Sequence, residues 1–189
     1  LKLATDLSFA ALLGDGIYNF GEIITNNILT LLDGTDKVWL KEMLEIFNNG
    51  NIAGFDPLVS KNRQVIESQI ANFNEQEPKL KAKLELLSLM ELVFRRPAKD
   101  RTIGFNEISK AIQRPVTDVE VIVMRAMSEG LIRGTIDEVA QVLEATWVEP
   151  RVLDAPQIKS MVDRLDAWRN SVNETLIFIE NQTPEMFKA

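Results

Sequence analysis

General acid–base, nucleophilic and transition-metal chemistry near neutral pH rely most on histidine and cysteine, and this chain contains neither. That removes Ser–His–Asp and Cys–His arrangements and the usual zinc sites together. Carboxylates remain. Asp137-Glu138 and the pair Asp163/Asp166 come nearest to an acid/base couple. The first falls in a predicted turn and the second on a helix face crowded with other charges, where carboxylates are simply solvated. Gly14-Asp15-Gly16 lacks the lysine, and the strand-before, helix-after setting, of a phosphate-binding loop, so it reads as a plain turn. Phe9, Phe20, Phe47, Phe55 and Phe73 recur at helical spacing and read as core. The sequence predicts no catalytic residue, no cofactor and no metal ligand; the chain is not expected to be an enzyme.

What remains is surface, and the elements that would position it centre on residues 101–153. A first helix at 105–113 has Phe105, Ile108, Ala111 and Ile112 on one face. Pro115 breaks it, because proline cannot continue the ladder and drives Arg114 from helical angles. Thr117 is the expected cap of a second helix, 117–129, with Glu120 completing a capping box. Its spaced apolar set is Val121, Met124 and Met127, widened by Val119, Ile122, Val123 and Ala126. Gly130 stands where a left-handed cap is needed. Two β-rich runs, 131–136 and 142–148, flank a polar turn, and 102–105 can supply a third strand. This order is a winged helix.

Residues 1–95 read as antiparallel helix pairs of an α-solenoid. A helix over 2–13 has Leu3, Leu7, Ala10 and Ala11 on one side. Further helices are expected at 20–32, 36–47, 51–59, 62–73 and 78–94, the last opened by Pro78 and apolar nearly all round in its second half. Residues 95–100 are the expected boundary before the winged helix. A final helix follows at 154–181, with a tail at 182–189. The fold class is mainly α with a small β wing.

Apolar residues make up 46% and charged residues 26%, the balance of an ordinary globular protein, and the net charge is −7 with a pI near 4.8. An acidic chain does not draw a polyanion over long range. Within 101–153 the basic residues are outnumbered by acidic ones, and Arg125, Arg133 and Arg151 make at most a small basic spot. Nucleic acid is not an expected partner, and no apolar run reaches the length of a bilayer span, so neither is a membrane. With Leu1 first and no initiator methionine, the chain reads as part of a longer protein. The lack of cysteine agrees with a reducing compartment.

Two surfaces are expected to recognise protein. In a winged helix the 131–136 strand lies at the sheet edge, with its outer backbone groups free to pair. By alternation Ile132 and Ile136 face the core and Arg133 and Thr135 face outward, while Gly134 admits another backbone closely. In the final helix Ile158, Met161, Leu165, Trp168, Val172 and Ile179 fall on steps of three and four, with Thr175 in the one missing position. That is the narrow seam of a coiled coil, so the helix is expected to dock in a bundle.

Helical repeats running into a winged helix without catalytic residues resemble the PCI domain, the module shared by the proteasome lid, the signalosome and a translation-initiation complex. Three stretches are closer to one family within it, the subunit-nine type of the non-ATPase lid subunits of the 26S proteasome regulatory particle. They are Tyr18-Asn19-Phe20-Gly21-Glu22, residues 98–134 with the run 119–127, and Thr146-Trp147-Val148-Glu149-Pro150-Arg151-Val152-Leu153. Phe47-Asn48-Asn49-Gly50-Asn51 also matches. The resemblance implies the C-terminal portion of a non-catalytic lid scaffold in ubiquitin-dependent degradation, in cytoplasm and nucleus. The implied partners are other PCI subunits joined through their winged helices, the lid helical bundle, and the neighbouring deubiquitinase pair and ubiquitin receptor. The alternatives are a PCI scaffold of the signalosome or translation complex, which the 147–153 string argues against, and a nucleic-acid-binding winged helix, which the charge argues against.

Overall fold

The computed structural model describes residues 2–182 apart from 26–28, 30, 31, 33, 34, 36, 71, 72, 98, 99, 151, 153 and 154, and leaves aside the side chains of 155–157 and 160. Leu1–Val152 form one compact unit and Leu153–Ala189 a second.

Helix α1, Lys2–Leu13, turns Ala4, Thr5, Ser8, Ala11 and Leu12 inward. The expected face is thus only partly right: Ala11 is buried, but Leu3, Leu7 and Ala10 are exposed, and mostly small residues together with Leu12 make the contact. A helix with small side chains on its inner face lies close to its neighbours, and the Ser8 hydroxyl is satisfied locally by Ala4 O at 2.7 Å. Helix α2 covers only Gly21–Thr25, and residues 26–28, 30 and 31 of the expected 20–32 helix lie outside the described residues. Helix α3, Val38–Asn49, buries Leu40, Met43, Leu44 and Phe47 as their spacing predicts.

Helix α4, Ile52–Gln69, joins what the sequence divides into helices at 51–59 and 62–73. The division survives as a kink at Asn62, with φ −113° and ψ 15°, whose side-chain amide donates to Leu58 O at 3.1 Å. The chain then leaves helical geometry at Ile70, so Phe73 opens the next helix instead of closing this one. Helix α5, Phe73–Arg95, takes in Pro78 near its start. It buries Leu80, Leu84, Leu86, Leu87, Leu89, Met90 and Val93, pointing in nearly every direction. It packs against α1, α3 and α4. The ring of Phe47 links Phe20, 5.4 Å away, to Phe55 at 6.1 Å, and all three are in the same core.

Lys83 of α5 is buried and donates to the carbonyls of Ala11, Leu12 and Gly14 at 2.8, 3.3 and 3.0 Å. These are the open carbonyls where α1 ends, so a cation is well placed there. Its ammonium also stands 5.0 Å from the Phe20 ring and 5.8 Å from that of Tyr18. Burial pushes its pKa down to about 8, against the opposing pull of Asp15.

Strand β1, Thr102–Gly104, leads into α6, Phe105–Ile112, which turns Phe105, Ile108 and Ile112 inward. Ser88 of α5 donates to Ala111 O at 3.1 Å, and Glu85 of α5 pairs with Arg114 at 2.8 Å, tying α5 to the helix–turn–helix. Helix α7 runs Val116–Ser128 with Pro115 as its cap and no side-chain capping bond. Thr117 is therefore inside the helix, where its hydroxyl meets Asp118, and the expected capping box does not form. The cap falls two residues earlier than expected, at Pro115, whose ψ of 151° keeps it extended. Gly130 adopts φ 76°, the left-handed turn expected of it.

The face of α7 also differs from the one read from sequence. Val119, Val123 and Ala126 are the buried set, while Val121 and Met124 point to solvent. Strands β2, Ile132–Asp137, and β3, Val142–Val148, complete an antiparallel sheet of order β1-β3-β2. The register steps between Arg133, opposite Trp147, and Gly134, opposite Ala145, so Thr146 is an extra residue in β3. Helix α8, Ala155–Gln182, follows. The architecture is the expected one, helical repeats followed by a winged helix and a long C-terminal helix.

Candidate interaction surfaces

Strand β2 has a neighbour on one side only among the described residues. Leu131 O accepts from the Glu149 amide at 2.8 Å, and Arg133 O accepts from the Thr146 hydroxyl at 3.1 Å. Odd-numbered positions thus turn their backbone groups to β3. Ile132, Gly134 and Ile136 turn theirs to the open edge. Side chains alternate as predicted: Ile132 is buried, Ile136 packs partly on the core, and Arg133 and Thr135 are exposed. The Arg133 guanidinium lies 4.7 Å from the Trp147 ring, a cation over an aromatic face. A Cβ on Gly134 would stand 2.2 Å from Glu144 O, so the backbone that needs glycine there is β3 of the same chain.

The outer face of α7 is a surface the sequence reading missed. Val121 and Met124 are 67% and 55% exposed, on the helix that would read a groove in a DNA-binding winged helix. Phosphate contact needs cations, and Arg125 is the single basic side chain of this helix. Arg125 lines a cleft with Tyr18, Lys79, Lys83 and Glu129, where burial raises the Tyr18 phenol pKa and Glu129 adds to the rise. Arg133 is on the wing instead, and Arg151 lies outside the described residues, as does the tail from 183. Among the described residues no cluster of acidic groups could hold a metal ion, and no helix is long and apolar enough to cross a membrane.

In α8 every described side chain is exposed. Ile158, Met161, Leu165, Trp168, Val172 and Ile179 show between 41% and 67% of their surface. Val162, Leu176, Ile177 and Phe178 are exposed beside them. Thr175, in the gap of the seam, turns its hydroxyl back to Ser171 O at 2.8 Å, so the polar group is spent within the helix. The helix thus presents a continuous exposed apolar surface.

Comparison with known proteins bears on the same elements. Residues 1–44 match the PSD13 N-terminal repeats and residues 59–147 match the PCI domain. The chain is 41% identical, over its whole length, to 26S proteasome non-ATPase regulatory subunit 13 homolog B of Arabidopsis thaliana, 49% of which it covers. It is 39% identical to 26S proteasome non-ATPase regulatory subunit 13 of Dictyostelium discoideum, over 98% of this chain and 48% of that protein. It is also 39% identical to 26S proteasome regulatory subunit RPN9 of Saccharomyces cerevisiae, over 92% of this chain and 43% of the relative. The chain thus spans about half the length of the curated relatives it matches. With its helical repeats, its winged helix and these likenesses, the chain carries PSD13 N-terminal repeats and a PCI domain and is similar to the proteasome non-ATPase regulatory subunit 13 proteins.

Proposed function

We propose that the chain is the PCI-bearing part of a non-catalytic scaffold subunit of the 26S proteasome lid, serving ubiquitin-dependent degradation in cytoplasm and nucleus. The observation that carries this reading is the seam of α8, apolar at steps of three and four and exposed along the helix. A helix of this pattern is stabilised by partner helices, and the lid's bundle of C-terminal helices is the partner the family offers. The open edge of β2 supports a second contact, to a neighbouring PCI subunit. At one end of such an array the subunit lies near the deubiquitinase pair and a ubiquitin receptor. Without histidine or cysteine, this chain contributes shape to their chemistry and no reacting group of those kinds.

Removing residues 155–189 from the full-length protein tests the reading. The winged helix should stay folded, with its unfolding transition unchanged, while the protein no longer co-purifies with the lid. A truncated protein that enters the complex normally, or that unfolds outright, would refute it. Ubiquitin-chain cleavage by the purified protein, free of partner subunits, would refute the non-catalytic part.

A further inference from the structure

Two strings that mark the family, 18–22 and 146–153, meet in space. The Val152 amide donates to Asn19 Oδ1 at 3.3 Å, and Asn19 Nδ2 in turn donates to Glu22 Oε1 at 2.9 Å. The second bond fixes which way the amide faces, leaving its oxygen for Val152. Gly21 lies against the same residue: a Cβ there would stand 2.4 Å from Val152 O and 3.0 Å from Val152 Cβ. Backbone contact at that distance is closed to any residue but glycine.

The segment that makes these contacts is itself braced. Phe20 is buried, and its carbonyl accepts from the Ile23 and Ile24 amides at 3.1 and 3.0 Å, which starts α2. The Lys83 ammonium holds the Phe20 and Tyr18 rings on one side and the end of α1 on the other. Val152 is the last residue of the first compact unit, and α8 begins at Ala155. The residue held is therefore the end of the first unit, three positions before α8 begins.

We propose that Asn19 and Gly21 clamp the backbone at Val152 and so fix the point from which α8 leaves the PCI unit. They are positioning residues for docking, a role that rests on the reading of α8 given above. A clamp restricts where the helix can start, which lowers the conformational cost of engaging a bundle. It needs no contact with the bundle itself.

The test uses the full-length protein. Asn19→Ala removes the acceptor and Gly21→Val cannot occupy the space beside Val152. In Asn19→Ala, amide exchange at Val152 should quicken about tenfold, as for loss of one hydrogen bond, with the rest of the PCI unit exchanging as before. In competition with wild type, incorporation into the lid should fall about tenfold. A Gly/Ser insert between residues 152 and 155 should give the same loss with the clamp intact, a readout that a merely stabilising role for Asn19 would not produce. If Gly21→Val fails to fold, Asn19→Ala and the insert decide. Unchanged exchange at Val152, or faster exchange with wild-type incorporation, overturns the proposal. Met161→Asp/Leu165→Asp separates the two readings: if it too incorporates normally, docking through α8 fails. If it is excluded while Asn19→Ala and the insert enter normally, only the clamp fails.

Discussion

Helices α5 and α8 are the two longest in the chain, 23 and 28 residues, and both are rich in leucine and its relatives. The first hides those side chains and the second shows them all. The difference lies in the angular spread of the apolar positions. In α5, Leu86, Leu87, Leu89 and Met90 follow one another around the axis, so neighbours are needed on several sides at once. In α8 the apolar residues from Ile158 to Val172 keep largely to one strip, with Lys159, Asp163, Arg164, Asp166 and Arg169 filling the remaining directions, and the strip widens only at Leu176–Ile179. A helix of the first kind makes a domain; one of the second kind joins domains. Apolar content alone cannot tell them apart.

The contrast can be broken most directly at Leu87, which has no exposed surface. Leu87→Ala should cost about 2–5 kcal/mol in urea unfolding, since it leaves a cavity among helices that cannot all close on it. A cost below about 1 kcal/mol would show that α5 is not the shared support of the unit. Lys83 places a charge on the buried side of α5. Burial holds its pKa at about 8 in the folded chain, against 10.5 as the ordinary value. Between the two the unfolded chain holds the proton and the folded one releases it, so stability should rise with pH across that window. Lys83→Met should flatten the rise. Parallel urea midpoints for the two proteins from pH 7.5 to 10.5 would contradict the assignment.

At the open edge, Ile136 turns its amide away from β3 and packs only partly on the core. Ile136→Pro and Ile136→Ala should each cost about 1 kcal/mol from lost packing. Only the proline removes a lateral donor, so it alone should weaken joining to a neighbouring PCI subunit, read by pull-down with that subunit. The smallest change in stability is expected in α8. Leu165→Ala should shift urea unfolding by no more than about 0.5 kcal/mol, yet lower occupancy of the lid. A larger loss in the free protein would mean that the seam already has a partner within the chain.

The winged helix was legible because punctuation marks it at every turn. Pro115, Gly130 and the polar run at 137–141 each act through backbone geometry, which does not depend on what packs nearby. The faces of the helices were less legible. In α1 the larger side chains, Leu3 and Leu7, suggested the inner face, but Ala4, Thr5, Ser8, Ala11 and Leu12 are the residues turned inward. In α7 the choice of Thr117 as cap, together with a spaced apolar set that included Val121 and Met124, hid the fact that both point outward. The clamp at Val152 had no local signal at all. An asparagine and a glycine in a short string gain their meaning from a residue 133 positions along the chain.

The extra residue in β3 reverses a parity. Simple alternation would place Trp147 on the same side as Leu143 and Ala145, which are buried, and Val148 on the other. Thr146 uses up one step, so Val148 comes round to meet Ile132 and pack on the core, while Trp147 emerges beside Arg133. The bulge at Thr146 thus decides which of two adjacent side chains is interior and which is a plate on the outside of the wing. Pairing Thr146 regularly in the ladder would exchange them, asking a space cut for valine to take an indole.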